Sequence, residues 1–362
     1  MIGRVVKLSK YDDERALSVH SKATVIVAHS HVAICGIAER RGKGESHVFD
    51  QNFSRSLREG GVNAILESVG GTTMHLTFPL GRYLASSASN HLKRTLILIE
   101  MMLSELESCE VANLAKSTED IRASKRDGKI AIMMGFEGID PIEDDIGLLR
   151  IFHRLGVRSI QLAWLDRNRV ADSVFERTNS GLTNFGLSVV EELNKTHMII
   201  DVSHISEKGF TDVLGQTRDP VIASHSNARA LLDHPRNLSD EQIKALANNG
   251  GVMGVNVAGF VSKNNPTIGD VLNHVDHVVK LVGMDHIGIG LDITENFDKE
   301  IYSRIWKGTP YNFPFSYAEG IDNMSRVSNL TKGLVARGYS DQDIMKFLGG
   351  NFLRVFEKIF GS

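Results

Sequence analysis

The sequence has very little cysteine: Cys35 and Cys109 are the two thiols in 362 residues. Two cysteines build no disulfide framework in a chain this long, and neither lies in a Cys-x-x-Cys pair of the kind that holds zinc or runs redox chemistry. Both read as small buried apolar residues. No apolar run approaches the ~18 residues of a membrane span. The opening MIGRVVKLSKYDDERALSVH interrupts its apolar residues with charges, unlike the continuous core of a secretory signal. The expectation is a cytoplasmic chain with no membrane partner. Neither sign of charge dominates: 41 Lys and Arg face 44 Asp and Glu, a formal net charge of −3. No basic tract marks a nucleic-acid surface, so no such partner is expected either. The sequence also lacks internal repeats, low-complexity tracts and a G-x-G-x-x-G turn after a strand, the fingerprint of dinucleotide binding.

What is present is a regular alternation. Eight short apolar runs recur: 23–28, 61–69, 129–136, 158–164, 198–203, 220–224, 251–257 and 286–291. Most are nearly continuous in Val, Ile, Leu, Met or Ala, as strands covered on both faces are. Between them lie amphipathic stretches such as HLKRTLILIEMMLSELE, EDDIGLLRIFHRLG and IGDVLNHVDHVVKLVG. Ser239 with Gln242 three residues on reads as a capping box, and Gly250 and Gly283 stand where left-handed helix ends are wanted. Strand–helix alternation predicts parallel β-α-β units. Eight strands predict an α/β chain folded as a (β/α)8 TIM-type barrel with extra C-terminal helices; an open doubly wound sheet is the runner-up. Length alone admits two or three domains, yet such barrels run to ~250 residues and beyond. The expected organisation is one barrel domain over 1–362, with an N-terminal extension at 1–22 and a mouth loop plus C-terminal helices at 293–362. Residues 70–89 read as a second long insertion.

In such a barrel the active site forms at the carboxyl ends of the strands. Run one ends in His29-Ser30-His31, whose alternate residues face one side. Run three ends in Gly-Phe-Glu137, run five in Asp-Val-Ser-His204, run six in Ala-Ser-His225 and run eight in Gly-Leu-Asp292. Nitrogen and oxygen donors of this kind suit zinc, manganese, iron or cobalt. Taken singly, a strand-end histidine is most often structural, Glu137 a capping carboxylate and Asp292 a turn residue. Taken together they share one end of five strands, a placement that chance does not produce. Five ligands exceed the need of one four-coordinate ion that keeps a water, so two divalent ions bridged by a carboxylate are expected.

Four segments carry a resemblance: DVSHISEKGFTDVL, PVIASHSNARALLDHPRNLSDEQIKALANNGGVMGVN, HVVKLVGMDHIGIGLD and FLGGNFLRVF. The chain resembles the membrane (renal) dipeptidase family, zinc peptidases of the amidohydrolase-like barrel superfamily. The likeness runs from about residue 23 to 359 and is most specific in the second half. It implies a metal-dependent hydrolase that cleaves a dipeptide or similar small amide through a metal-bound hydroxide, with two divalent ions, zinc in such a family, and a dimer. It implies one ion on His29 and His31, Glu137 as the bridge, and His204 and His225 on the second ion. Arg236 in HPRN matches an arginine that binds a substrate carboxylate. Asp292 matches an aspartate beside the substrate amine and the attacking water. Two positions depart from the pattern. His31 replaces an acidic ligand, which removes one negative charge. Trp164 replaces a histidine that touches the substrate, so the donor it supplies is absent unless a group such as His75 or Asn168 moves in.

These departures keep two further readings open. Trp164 and the aromatic stretch around Trp306, Tyr311, Phe313 and Phe315 suit a bulkier amide or a peptide-derived metabolite. A non-catalytic binding protein is the third reading. Asp166, Arg167, Asn168 and Asp172 follow run four and are expected to line the mouth; Asn168 and Trp164 are candidate substrate contacts. His47, His91, His197, His274 and His277 share no strand-end position and read as structural or solvent-facing.

Overall fold

The structure is a computed structural model describing residues 8–31, 36–38, 40–41, 43–71, 91–295 and 316–361. Each apolar run of the sequence forms a parallel strand, because helices cover its outer face while its alternate residues fill the ring. In chain order the strands are β1 (Ile26–Ser30), β2 (Ala64–Gly71), β3 (Ala112–Leu114), β4 (Ile130–Glu137), β5 (Val157–Gln161), β6 (Ile199–Asp201), β7 (Ile222–Ser226), β8 (Val252–Val255) and β9 (Ile287–Ile289). Their order is β2-β1-β9-β8-β7-β6-β5-β4, and pairing of β2 with β4 closes eight of them into a barrel. The eight are the eight apolar runs.

β3 is the strand the sequence does not announce. It pairs Ala112 with Ile130 beside the amino half of β4, below the point where β5 takes over. Three residues, of which only Ala112 is buried, are too few to show a period. Helix starts also differ from expectation. The helix expected from 143 begins at Gly147, because Glu143 has φ +51° and the Asp145 carboxylate accepts from Gly147 N–H in a tight turn. Within 319–338 only Ser328–Ala336 is α-helical, after a 3-10 turn at Met324–Arg326 that Asn323 caps. The capping box of Ser239 and Gln242 is formed. Gly250 and Gly283 both have positive φ, but at Gly283 ψ is 168°, so the chain leaves extended rather than through a left-handed turn.

The amino end of the barrel is closed by the last helix, Asn351–Phe360. It sets Phe352, Val355, Phe356 and Ile359 against the inward residues Ile26, Leu66, Met133 and Val252. The helix Lys10–Lys22, which leads into β1, buries Ala16 and Val19 and packs on the helices Ser328–Ala336 and Asp341–Met345. None of the described helices is long and apolar enough to cross a membrane. The barrel floor is thus apolar and sealed, and the opposite rim is where polar side chains collect.

Candidate metal centre

The strand ends bring the expected residues together. His29 lies in β1, His31 one residue past its end, Glu137 at the last position of β4, His225 in β7, and His204 and Asp292 three residues past β6 and β9. The imidazoles and Glu137 are all buried, and Asp292 is partly so. The Nε2 atoms of His29 and His31 are 3.1 Å apart, and those of His204 and His225 are 3.0 Å apart. Glu137 stands between the pairs. Its Oε2 lies 3.1 Å from His31, and its Oε1 lies 3.5, 3.3 and 3.5 Å from the Nε2 atoms of His29, His204 and His225. Asp292 Oδ1 is 3.8 Å from His29 and 3.7 Å from His31.

Such crowding of lone pairs is unfavourable by itself, since two neutral imidazole nitrogens can share one proton at most. It becomes favourable around cations. Two donors ~2.0 Å from one tetrahedral ion lie roughly 3.3 Å apart, close to both observed separations. Glu137 Oε2 is also buried without a hydrogen-bond donor. Among the described residues, three overlapping groups could hold a metal: His29, His31 and Asp292; Glu137, His204 and His225; and His29, Asp201 and His225, which crosses between the two pairs. The donors therefore fit divalent ions in both halves.

The electrostatics are graded across the cluster. At His31, burial works against the charged form, but the carboxylates of Glu137, Asp292 and Glu67 outweigh it and raise its pKa to about 9. At His204, burial and the Arg236 guanidinium lower it to about 3, with Glu137 opposing. His225 is lowered well below its ordinary value, by burial first and also by the Arg236 guanidinium, with Glu137 opposing. Burial alone would raise Glu137; His29 and His31 instead hold it well below the carboxylate range. Asp292 is raised, by burial first.

Arg236 is buried beneath the second pair. Its Nη2 donates to the His225 carbonyl at 3.0 Å, while its Nε has no partner. Its guanidinium lies 5.8 Å over the Phe260 ring, and the His234 ring packs on the same ring at 4.6 Å. Burial lowers the Arg236 pKa to about 10, which leaves it charged at neutrality. Trp164 is half-buried, its ring 6.4 Å from that of His204.

Other expected positions are occupied by loop architecture. Asn168 donates to Leu162 O at 2.8 Å and, at 3.4 Å, to Asp140; its Oδ1 accepts from Val170 and Ala171. Both ends of its amide are engaged within the loop. Asp172 is buried and binds Arg167, Thr178 and the Ser180 N–H rather than facing the mouth. His274 is buried and structural, donating to Val261 O and accepting from Ala228 N–H. His47 and His197 are exposed. Cys35, His75, Trp306, Tyr311, Phe313 and Phe315 lie outside the described residues.

Three residues beside the site were not singled out from the sequence, although Asp201 ends β6, Ser224 lies in β7 and Asn256 follows β8 directly. Asn256 donates to Asp292 Oδ2 at 3.2 Å, and its Oδ1 accepts from Ala258 N–H at 2.6 Å, which fixes the amide's orientation. Asp201 and Ser224 stand behind His225. The available signal was a carboxylate inside the otherwise apolar run MIIDVS.

A parallel barrel that gathers imidazoles around a buried carboxylate at its mouth is the construction of metal-dependent hydrolases. Comparison with known proteins narrows the class. The chain belongs to the membrane dipeptidase family, Peptidase family M19, which it matches over residues 14–302 and 307–360. It is similar to Dipeptidase tcpJ of Claviceps purpurea, 32% identical over 314 residues that cover 84% of this chain and 68% of that one. It is 35% identical to Dipeptidase verJ of Clonostachys rogersoniana over 68% of this chain and 60% of the relative, so it spans less than two thirds of that protein. Among solved structures, an amidohydrolase from Pseudomonas aeruginosa matches with a TM-score of 0.80 at 26% identity, covering 96% of this chain and 99% of the other.

Proposed function

We propose that this chain is a metal-dependent dipeptidase that holds two divalent ions, zinc by its resemblance to a family of zinc peptidases, between His29, His31, Glu137, His204 and His225. The carrying observation is that one buried carboxylate, Glu137, lies 3.1 to 3.5 Å from four imidazole nitrogens contributed by three other strand ends. The names of the curated relatives, both dipeptidases, support the substrate class. The chemistry such ions supply when bound is Lewis acidity toward the amide carbonyl and a lowered pKa for the attacking water.

The side chains supply the rest. Asn256 ties down Asp292 Oδ2, so Oδ1, on the imidazole side, is the oxygen free to accept the water's proton and pass it to the leaving amine. Arg236 presents an unpartnered Nε from a rigid, stacked setting, the arrangement that a planar guanidinium uses to grip a carboxylate. It anchors the substrate's terminal carboxylate. Trp164 forms an apolar wall beside His204 and favours an apolar substrate group there.

Metal analysis tests the proposal directly. About two zinc ions per chain, with dipeptide hydrolysis lost to a chelator and restored by zinc, is the expected result. Full turnover by metal-free protein would overturn it. A panel of dipeptides against N-acyl and cyclic amides separates this substrate class from a bulkier amide.

A further inference from the structure

A metal-binding imidazole must present a bare nitrogen, and the other ring nitrogen decides which one is bare. His225 has a definite answer built behind it. Asp201, in β6, is buried, and its Oδ1 accepts from the backbone N–H groups of Ser203 at 2.9 Å and Ser224 at 3.0 Å. Its Oδ2 accepts from the Ser224 hydroxyl. Ser224 Oγ lies 2.8 Å from His225 Nδ1.

The proton count is closed. A carboxylate only accepts, and a serine hydroxyl has a single proton to give. Ser224 gives that proton to Asp201, so toward His225 it can act only as acceptor. His225 Nδ1 therefore carries the hydrogen, and Nε2, the atom beside His204 and Glu137, is left with its lone pair. Ser203 Oγ does not disturb the count: it accepts the His225 backbone N–H at 3.3 Å and has its own proton to offer Ser224 at 3.4 Å. Close packing holds Ser224 in place, since a Cβ on Gly290 would come 1.7 Å from the Ser224 carbonyl oxygen and one on Gly254 2.0 Å. His204 has no such device; its Nδ1 is buried without a partner.

We infer that Asp201 and Ser224 form a relay that fixes the tautomer of His225 and thereby prepares one half of the metal centre. Asp201 and Ser224 are positioning residues, acting through His225. The inference rests on the metal-centre reading above and deepens it.

The decisive variant is Asp201→Asn. The Asn oxygen can still accept from both backbone N–H groups, but its NH2 replaces Oδ2 and donates to Ser224. The Ser224 proton then has His225 Nδ1 at 2.8 Å as its nearest acceptor, ahead of Ser203 Oγ at 3.4 Å, and turning to it moves the ring proton to Nε2 and blocks the ligand atom. In nitrogen-15 spectra of histidine-labelled protein, His225 is expected as the Nδ1–H form in the wild type, zinc-loaded and after chelation. In chelated Asp201→Asn it is expected as Nε2–H. Zinc affinity, read by competition with a chromophoric chelator, is expected to fall roughly 10- to 100-fold in Asp201→Asn, and by less in Ser224→Ala, which removes the acceptor without reversing the relay. A merely structural role for Asp201 predicts no tautomer change and no loss of zinc in Asp201→Asn, and either result overturns the inference. Should Asp201→Asn not fold, the wild-type spectrum and Ser224→Ala decide alone: an Nε2–H form of wild-type His225 refutes the relay. Wild-type protein that takes up no zinc would sink the metal reading itself, a distinct outcome that removes the relay's purpose.

Discussion

The two ends of this barrel are built on opposite principles. At the amino end, Phe352, Val355, Phe356 and Ile359 seal the ring with apolar surface, and the burial is all stabilising. At the carboxyl end, four imidazoles, Glu137 and Arg236 are buried just as deeply, and that burial works against the fold: removing charges from water costs several kcal/mol per ion unless partners compensate. The compensation at the rim is incomplete within the chain itself, as the partnerless Glu137 Oε2, His204 Nδ1 and Arg236 Nε show. One end holds the molecule together and the other holds unsatisfied valence in place for a ligand. The same barrel supports both because a strand presents apolar residues along its length and a polar one at its tip.

The sharpest way to break this contrast is at Glu137. Glu137→Gln is expected to reduce kcat by ~10³-fold or more, the several kcal/mol that bound metal contributes to such reactions, and to lower metal occupancy. Wild-type metal occupancy and turnover in Glu137→Gln would show that Glu137 is no part of the metal centre and that the two ends are not distinct in kind. Phe356→Ala at the floor is the mirror experiment. It is expected to cost about 3–5 kcal/mol of unfolding free energy in urea, while kcat per folded, metal-loaded molecule stays unchanged. A kcat that falls in parallel with stability would mean that the floor positions the rim.

Arg236→Met comes next in size. Loss of a charge-assisted bond to a carboxylate is worth roughly 1.5–3 kcal/mol, or about 10- to 100-fold in KM. That rise is expected for dipeptides with a free carboxylate and not for their amidated counterparts. Equal effects on both would remove Arg236 from substrate binding and leave it as packing beneath His225, the residue whose carbonyl it binds.

The sequence was most legible where one local rule decides the outcome. Runs of five to eight buried residues such as β2 and β4 declare themselves, and their final residues mark the rim, so His29, His31, Glu137, His204 and His225 could be named together. Other features depend on contacts that no local pattern carries. Asn168 was expected at the mouth because it is polar and follows a strand; it lines a cleft with Asp140 and Glu143, and its amide is bonded within its own loop. Asp172, expected beside it, is instead buried, its carboxylate spent on Arg167 and Ser180. Asn256 and Ser224 act on side chains 36 and 1 positions away, and each matters only through the orientation of a hydrogen-bonded group. β3 is too short to register a period. Resemblance to the dipeptidase family supplied what spacing could not, an expected pairing of ligands into two sets; two of the donor groups follow that division, and the third, His29 with Asp201 and His225, crosses it.

The smallest effect tests whether the amino end is as free of charge linkage as its apolar floor suggests. His20 is buried there, and its Nε2 must donate to the Gly60 carbonyl at 2.9 Å, because a carbonyl only accepts. Its Nδ1 then accepts from the Thr331 hydroxyl at 2.7 Å, so the ring ties the helix Lys10–Lys22 to two distant segments in its neutral form. Burial lowers its pKa, Lys125 lowers it further and the Gly60 bond opposes. The sign of the linkage follows. With a folded pKa below the ordinary 6.5, the unfolded chain takes up a proton first as the pH falls, so His20 contributes stability above about 6.5 and loses it progressively below, down to its folded value. Urea unfolding of the metal-loaded protein between pH ~7.5 and ~5 should show a shallower loss of stability in His20→Asn than in wild type, since other buried histidines such as His274 contribute to both. Identical slopes would mean that His20 titrates alike in folded and unfolded chains. The floor would then carry no proton linkage through this ring, and the contrast between the two ends would be sharper than the hydrogen bonds of His20 imply.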